Sequence, residues 1–532
     1  MRITSFAFLG FVLVTCIVFR LFPAKKRWWV LLAASAVFYL SHSVGGFFVL
    51  LGTALITYFA GIKIQKLKDG FADWLKANKE TADKATRKEK KEEYQKKQKL
   101  IVAGAVAITT GILFLCKYYG VIASGINGLL NTKLWTAEGI LLPLGISYYS
   151  LQLIGYLVDV HRDVVKAEKN PLKVILYGGF FLSIMQGPFN RYNDLMPQIC
   201  DPEPKKLLPR DYRSAILRIA EGYIKKLCIA DQFAIVANEV FTNHTDHKGI
   251  GIVFGIVCFS VQLYADFSGY MDIIIGIGQL FGIRMPENFR QPFFSRNMSE
   301  FWQRWHITLG LWLKDYVFYP ILKSGAFKKL GKALSGKVGK EASRKIPTYL
   351  GMLILWTLIG AWHGAGLHYV FGVGILQFLY IFLGEIFAPL FTKIKKLLHI
   401  NDKKLCWHIF QSLRCTALML FAWIFFNAGS VRIAFQMLKS MCRRPLLRHL
   451  LAAFPSDVID GPYRTMLYFG ICIVLLLILD LLHEKGFSVR EYICKKPYPV
   501  RLAFYLALAF TLIIFGAYGG NYIASNFIYT GF

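Results

Sequence analysis

Two histidines sit in surroundings where an apolar chain has little reason to place one. His363 lies in "LIGAWHGAGLHYVFGVG" (358–374), with Ile354, Leu355, Trp356, Leu358 and Ile359 before it and Tyr369, Val370, Phe371 and Val373 after it. An imidazole in hydrocarbon without a hydrogen-bond partner costs about 2–7 kcal/mol, so it is either satisfied structurally or kept for a reaction. Gly364 and Gly366 let an apolar helix break directly after it. A helix that stops at membrane depth must meet protein or a water-filled cavity. This reads as a histidine at the bottom of a cavity, where a neutral imidazole can take a proton from an attacking hydroxyl or thiol.

His306 lies in "SRNMSEFWQRWHITLGLWLKDYVFYP" (295–320). There Ser299, Glu300, Gln303, Arg304, Thr308, Lys314 and Asp315 alternate with Phe301, Trp302, Trp305, Trp312, Tyr316, Phe318 and Tyr319. Helical spacing predicts Trp302, Trp305 and Leu309 on one face and a Glu300–Arg304 pair. The alternative is a re-entrant segment whose polar groups satisfy one another. A third polar stretch, "SVQLYADFSGYMDIIIGIGQLFGIRMPENFRQPF" (260–293), carries Asp266 and Asp272 inside an apolar run. Intramembrane carboxylates face the interior. Asp266 is expected to orient a histidine, to pair with Arg284 or Arg290, or simply to hold the fold. The other nine histidines fall in polar turns, near span ends or at loop ends, and His368 reads as a helix-start residue. The ten cysteines form no CxxC pair, so no zinc site or disulfide framework is expected, and no metal ligand set appears.

The elements that must position these residues are membrane helices. The chain of 532 residues is 55% hydrophobic and only 18% charged, with mean hydropathy +0.43; soluble chains are about 25% charged. Apolar runs suited to helical spans recur at about 4–22, 28–43, 45–62, 100–119, 138–160, 172–189, 249–282, 305–322, 347–362, 366–390, 405–427, 464–483 and 501–519. They lack the strict alternation of a β-barrel. The 249–282 run is long enough for two helices or one strongly tilted one. Pro23, Lys25, Lys26 and Arg27 after the first run fit a span with a cytosolic end rather than a cleaved signal. A net charge of +31 follows from Lys and Arg in cytoplasmic loops, not from nucleic-acid binding.

Three regions follow: N-terminal spans (1–62), a cytoplasmic basic helical insert (63–99) and a transmembrane core (100–532). The insert "KIQKLKDGFADWLKANKETADKATRKEKKEEYQKKQK" reads as a solvated helical hairpin, a topology anchor or a docking surface. Segment 203–228 reads as a basic amphipathic helix lying in the interface. Further basic loops at 323–345, 393–404 and 439–449 belong on the cytoplasmic side. No internal repeat is visible, which disfavours a transporter.

The runs "PLGISYYSLQLIGYLVDV", "QGPFNRY", "ADFSGYMDIIIGIGQLFGIRMPENFRQPFFSRNMSEFWQRWHITLGLWLKDYVFYP", "WHGAG" and "NFIYTGF" resemble the bacterial branch of the membrane-bound O-acyltransferase family. The likeness is to alginate O-acetylation membrane proteins and to D-alanyl transfer proteins of teichoic acid synthesis. It covers about 136 to the end. The stretch "LKDYVFYPILKSGAF" departs from the acetyl branch in lacking a Gly pair after the helix.

The resemblance implies an all-α polytopic protein with a ring of tilted helices around a funnel, in the bacterial cell membrane. It implies His363 as the catalytic residue, with His306 near it in a tunnel. Arg304, Trp305, Asn288, Asp266, Asp315 and Trp362 are the candidate substrate-binding residues. No bound cofactor is implied. The donor expected is acetyl-CoA, or a phosphopantetheinyl carrier protein for D-alanine. An extracytoplasmic partner that accepts the acyl group, and membrane lipid, are the other expected partners. A channel or flippase, or a scaffold for an exported acyltransferase, are the competing classes.

Overall fold

In hydrocarbon every backbone N–H and C=O must be satisfied within its own segment, so the apolar runs become helices. The computed structural model describes residues 1–130, 132, 142–204, 206–444, 446–454 and 461–517. They form an all-α polytopic membrane protein in which the described residues make a single isolated β-bridge, Phe289 with Trp305. Eight helices among the described residues are long and apolar enough to span a bilayer: Val44–Ala77, Lys84–Leu130, Ile250–Leu280, Lys340–His363, Leu367–Ile386, Leu405–Asn427, Pro462–Glu484 and Tyr498–Phe515.

Sequence periodicity suggested thirteen spans, and the difference has identifiable causes. Phe6–Leu21, Arg27–Leu40 and Ile146–His161 are helices of only 16, 14 and 16 residues. The 172–189 run is helical only over Pro171–Gly179, and the 305–322 run breaks into short pieces. The 249–282 run forms one 31-residue helix, not two. The basic loop 323–345 is itself helical, over Gly325–Val338 and the start of Lys340–His363. The C-terminal "NFIYTGF" and the start of the 138–160 run lie outside the described residues.

Contacts divide the chain into two units: Met1–Asp211 with Ile277–Pro286, and Tyr212–Gly276 with Glu287–Phe532. Within the first, the basic insert is the continuation of helices Val44–Ala77 and Lys84–Leu130 beyond their apolar parts. Phe71 holds the two extensions together against Tyr94, with centroids 5.5 Å apart. Glu93 is bonded by Lys90 at 2.8 Å and by Lys97 at 2.7 Å.

Within the second unit, helix Pro209–Tyr223 crosses helix Ile250–Leu280 where both carry glycine. A Cβ on Gly222 would stand 2.6 Å from the Gly269 carbonyl oxygen, and one on Gly269 2.8 Å from that of Gly222. That approach corrects the reading of 203–228 as an interfacial helix over its second half, where Arg218, Lys225 and Lys226 turn inward while Lys206 and Arg210 stay exposed. Lys226 sits between Asp231 at 2.8 Å and Asp266 at 2.7 Å, all three side chains at most 2% exposed. Arg218 bonds Asp272 at 2.9 Å and grips Glu287, and Lys225 bonds Asp272 at 2.7 Å and Glu221 at 2.8 Å. Asp266 therefore pairs with Lys226, not with Arg284 or Arg290. The spacing along one segment could not reveal a partner 40 residues upstream.

Removing one partner of a buried pair leaves an uncompensated charge and costs about 3–5 kcal/mol. Lys226→Met should lower the unfolding free energy in detergent by that amount, read as a fall in the thermal midpoint. Arg290→Met, at an exposed position, should change stability by no more than about 0.5 kcal/mol.

Candidate active site

The histidine-bearing segment begins at a cap. The Asn297 carboxamide accepts from the Glu300 N–H at 2.9 Å, and the Glu300 carboxylate accepts from the Arg296 N–H at 2.9 Å. This reciprocal capping starts helix Met298–Arg304. At its other end Arg304 is clamped by Glu300 at 2.8 Å and Glu484 at 2.7 Å. The helix stops there. Trp305 is extended and His306 takes left-handed dihedrals, φ 48° and ψ 49°, before a new helix runs Ile307–Leu313. Trp302, Trp305 and Leu309 thus do not share one helix face as the spacing predicted.

The break is spliced by residues 288–290, which run alongside 304–307. Arg290 N–H donates to the Arg304 carbonyl at 2.9 Å and Ile307 N–H to the Asn288 carbonyl at 3.1 Å. The buried Asn288 side chain then meets three groups with one oxygen. Its Oδ1 accepts from the Thr308 N–H at 3.0 Å and the Thr308 hydroxyl at 2.9 Å, and lies 3.3 Å from His306 Nδ1. A backbone N–H can only donate, so the atom facing it is the carboxamide oxygen. Facing that acceptor, His306 carries its proton on Nδ1, which leaves Nε2 as the nitrogen with the lone pair. The His306 ring meets the Phe267 ring edge-on at 4.8 Å and Trp362 at 6.4 Å.

His363 ends helix Lys340–His363, and Gly364 follows in extended conformation. Its buried ring meets Trp362 at 5.0 Å and Phe426 at 5.5 Å. The Trp362 indole is thus a common neighbour of both histidines. His363 lines a small pocket with Trp302, Trp305, Gln377, Trp423 and Phe426 among its walls. Gln377 fixes that wall: its Oε1 accepts from the Trp302 indole N–H at 3.2 Å and its Nε2 donates to the Gly372 carbonyl at 3.2 Å. Gly372 and Val373, also in the lining, belong to a π-helical stretch, Val370–Ile375, a distortion frequent at functional sites.

The structure thus brings His363, Trp302 and Trp305 to one pocket, with Trp362 and His306 beside it and Asn288 behind His306. It places three candidates elsewhere. Arg304 is engaged by two carboxylates, Asp266 belongs to the Lys226 ion pair, and Asp315 sits half-buried in a π-helical stretch, Lys314–Phe318, away from the lining. His368 packs against Tyr369, with ring centroids 4.1 Å apart. Gln377, Trp423 and Phe426 escaped sequence reasoning. Gln377 left a signal, a lone amide in "GVGILQFLYIF"; the two aromatics look like those of any span.

Comparison with known proteins agrees with the likeness read from the motifs. Residues 161–335 match the model of MBOAT, the membrane-bound O-acyltransferase family. That match includes Asn288 and His306 and ends before His363. A protein of Pseudomonas syringae pv. tomato named probable alginate O-acetylase AlgI is 29% identical over 338 residues, 62% of this chain and 59% of that protein. The chain thus spans about three fifths of that relative's length. A peptidoglycan O-acetyltransferase of Helicobacter pylori is 28% identical over 445 residues, 79% of this chain and 74% of the relative. A teichoic acid D-alanyltransferase of Bacillus subtilis is 29% identical over 296 residues, 51% and 69% of the two chains.

Asn288→Leu should leave the buried Thr308 N–H and hydroxyl without their acceptor, a loss of about 1–3 kcal/mol. Asn288→Asp keeps an oxygen in place and should unfold at a higher temperature than Asn288→Leu. Equal midpoints for the two variants would show that the shared oxygen does not hold the splice.

Proposed function

We propose that the protein is a membrane O-acyltransferase that moves an acyl group, acetyl rather than D-alanyl, from a cytosolic thioester toward a cell-surface polysaccharide or cell-wall glycan. The observation that carries this reading is the pocket in which the His363 imidazole stands among indole and phenyl walls. His363 acts as general base on the acceptor hydroxyl. The hydroxyl oxygen attacks the thioester carbonyl, its proton passes to His363, the C–S bond breaks, and the departing thiolate takes the proton. His306, held as the Nδ1–H tautomer by Asn288, supports the reacting group from beside Trp362. Trp302, Trp305 and Trp362 exclude water and confine the acyl group.

Pocket chemistry favours acetyl over D-alanyl. The polar side chains lining it are His363 and Gln377 and the indoles, with no carboxylate among the described lining to receive the ammonium of D-alanine. The donor is acetyl-CoA; a phosphopantetheinyl carrier protein would serve the D-alanyl alternative. The basic stretches 63–99 and 323–345 face the cytosol in this reading and attract an anionic donor. The acceptor arrives from outside, as glycan or as a hydroxyl of an extracytoplasmic partner protein.

Cells expressing the protein should incorporate labelled acetate into surface glycan in a form released by mild base. Release of D-alanine instead would reassign the acyl group, and no ester at all would favour a channel or flippase. His363→Ala should insert normally and reduce transfer to background. His363→Gln should not restore it, because an amide cannot take the proton at neutral pH. A folded His363→Gln protein working at near wild-type rate would remove His363 from the chemistry.

His306→Ala should lower transfer by about 10²-fold or more, the size usual for one positioned catalytic group. Unchanged turnover in folded protein would assign His306 to structure alone.

A further inference from the structure

Residues 314–345 hold eight lysines and an arginine against two carboxylates, Asp315 and Glu341. Lys345 occupies Glu341 at 2.7 Å, and Asp315 is half-buried. The surplus of positive charge centres on one helix. Ser324 starts helix Gly325–Val338 by accepting from the Phe327 N–H at 3.4 Å, and no carboxylate lies along it. Its half-buried residues Phe327, Leu330, Gly331 and Leu334 recur three and four apart, which is one stripe of a helix. Lys328, Lys329 and Lys332 are exposed on the far side of that stripe, within an arc of about 100° at helical spacing. Lys328 and Lys332 are four apart, where like charges repel along a helix.

The packing sets the height of these lysines. The stripe lies on the start of helix Lys340–His363. A Cβ on Gly331 would stand 3.6 Å from the Ser343 carbonyl oxygen and 3.9 Å from Pro347 Cγ. Gly331 precedes the turn at Gly339, φ 83°, and both partners follow it, so the first helix folds back along the second. Along the second helix the exposed residues change character within two turns, from Lys340, Arg344 and Lys345 to Ile346 and Leu350, each of the last two 39% exposed. That helix is one of the eight spans, so the change marks where water gives way to hydrocarbon. The fold-back brings Lys328, Lys329 and Lys332 beside that boundary. A second pair of cations reaches the same level. Helix Tyr319–Lys323 packs against both helices, and a Cβ on Gly351 would stand 3.0 Å from Leu322 Cδ2 and 3.4 Å from Phe318 Cε2. Lys314 and Lys323 both stand over the exposed Tyr319 ring, their Nζ atoms 5.6 and 5.9 Å from its centroid. Tyrosine is enriched at the level where headgroups meet acyl chains.

We propose that Lys328, Lys329 and Lys332, with Lys314 and Lys323 beside Tyr319, form a docking surface for the headgroups of anionic phospholipid in the surrounding bilayer. Charge selects the headgroup. A zwitterionic lipid carries an ammonium that cancels its own phosphate, so only a lipid with net negative charge offsets the surplus on this face. Position selects a lipid over a dissolved anion. The lysines stand at the level of Ile346 and Leu350, exposed apolar side chains that acyl chains must cover, and a lysine stem can lie along such a surface while its ammonium reaches the phosphate. Clustered basic residues at the end of a membrane helix are drawn to an anionic leaflet in this way. All of these residues lie within the second unit, and the proposal stands independently of the acyl-transfer reading.

The full chain in nanodiscs of phosphatidylcholine and phosphatidylglycerol tests this, with the lipid retained on transfer to detergent read by native mass spectrometry. Wild-type protein should retain phosphatidylglycerol over phosphatidylcholine, and rising salt should weaken the preference. The variant K328Q/K329Q/K332Q should retain phosphatidylglycerol at least tenfold more weakly with an unchanged thermal midpoint. K328R/K329R/K332R, which keeps the charge, should hold it as wild type does. Should the triple glutamine variant not fold, K328Q and K332Q singly should each weaken retention severalfold. The control K84Q/K88Q/K91Q removes the same charge from exposed positions on the basic insert, of which the nearest to the apolar run that starts at Leu100 lies about 14 Å from it along the helix. It should leave retention within twofold of wild type. Equal retention of the two lipids by wild type, or an equal fall in K328Q/K329Q/K332Q and in the control, overturns the proposal. So does loss of coenzyme A binding in K328Q/K329Q/K332Q with phosphatidylglycerol retention intact, which would assign the lysines to a dissolved anion.

Discussion

One carboxamide oxygen governs the geometry of the candidate site. Asn288 Oδ1 receives a backbone N–H and a hydroxyl from Thr308 and faces the Nδ1 of His306. The Thr308 N–H is one of the orphan donors at the start of the helix that follows the break, so the oxygen caps that helix from another segment. The same contact fixes which nitrogen of His306 bears the proton and holds the residue at a positive φ that non-glycine residues seldom adopt. Without it, nothing in the local sequence would stop "SEFWQRWHITLGLWL" from running on as one helix, and the indoles of Trp302 and Trp305 would turn about the axis together. The break lets both line one pocket from different backbone states.

Buried charge does a related task on a larger scale. Membrane interiors tolerate ions only when they are paired, and the second unit pairs Lys226 with Asp231 and Asp266, and Arg218 and Lys225 with Asp272. Replacing such groups by apolar ones of similar size is often neutral or favourable, so total stability does not account for their presence. What they impose is register. The Gly222–Gly269 crossing lets two helices slide closely, and the ion pairs accept only one axial position. That position fixes helix Ile250–Leu280, which carries Phe267 to the edge of His306.

Much of this was legible in the sequence, and the boundary of legibility is physical. Composition and run length set the class, because the bilayer imposes length and hydropathy residue by residue. His306 and His363 were visible because an imidazole in an apolar run is costly wherever it points. The Glu300–Arg304 pair was visible because it is local. Hidden were contacts set by tertiary packing: Lys226 for Asp266, Glu484 for Arg304, and the Asn288 splice that converts a helical pattern into a break. Arg304 resembled a site residue by type and neighbourhood, yet its side chain is engaged by Glu300 and Glu484, a direction that spacing does not encode beyond one helix. Trp423 and Phe426 were hidden because an aromatic in a span is ordinary until the pocket it faces is known.

The two histidines differ in what they are able to do, and the difference lies in their neighbours. His306 has its Nδ1 committed to an acceptor in a rigid splice and its ring wedged against Phe267. A group so constrained is suited to presenting a fixed lone pair or to holding a wall, since it cannot turn to follow a moving proton. His363 stands at a helix end before an extended glycine and lines the pocket. Its ring meets those of Trp362 and Phe426 edge-on. A base that receives a proton from an incoming hydroxyl and returns it to a departing thiolate must address two atoms in succession. In the proposed reading the imidazole at the pocket makes that exchange, while the splice around His306 holds the second ring beside Trp362.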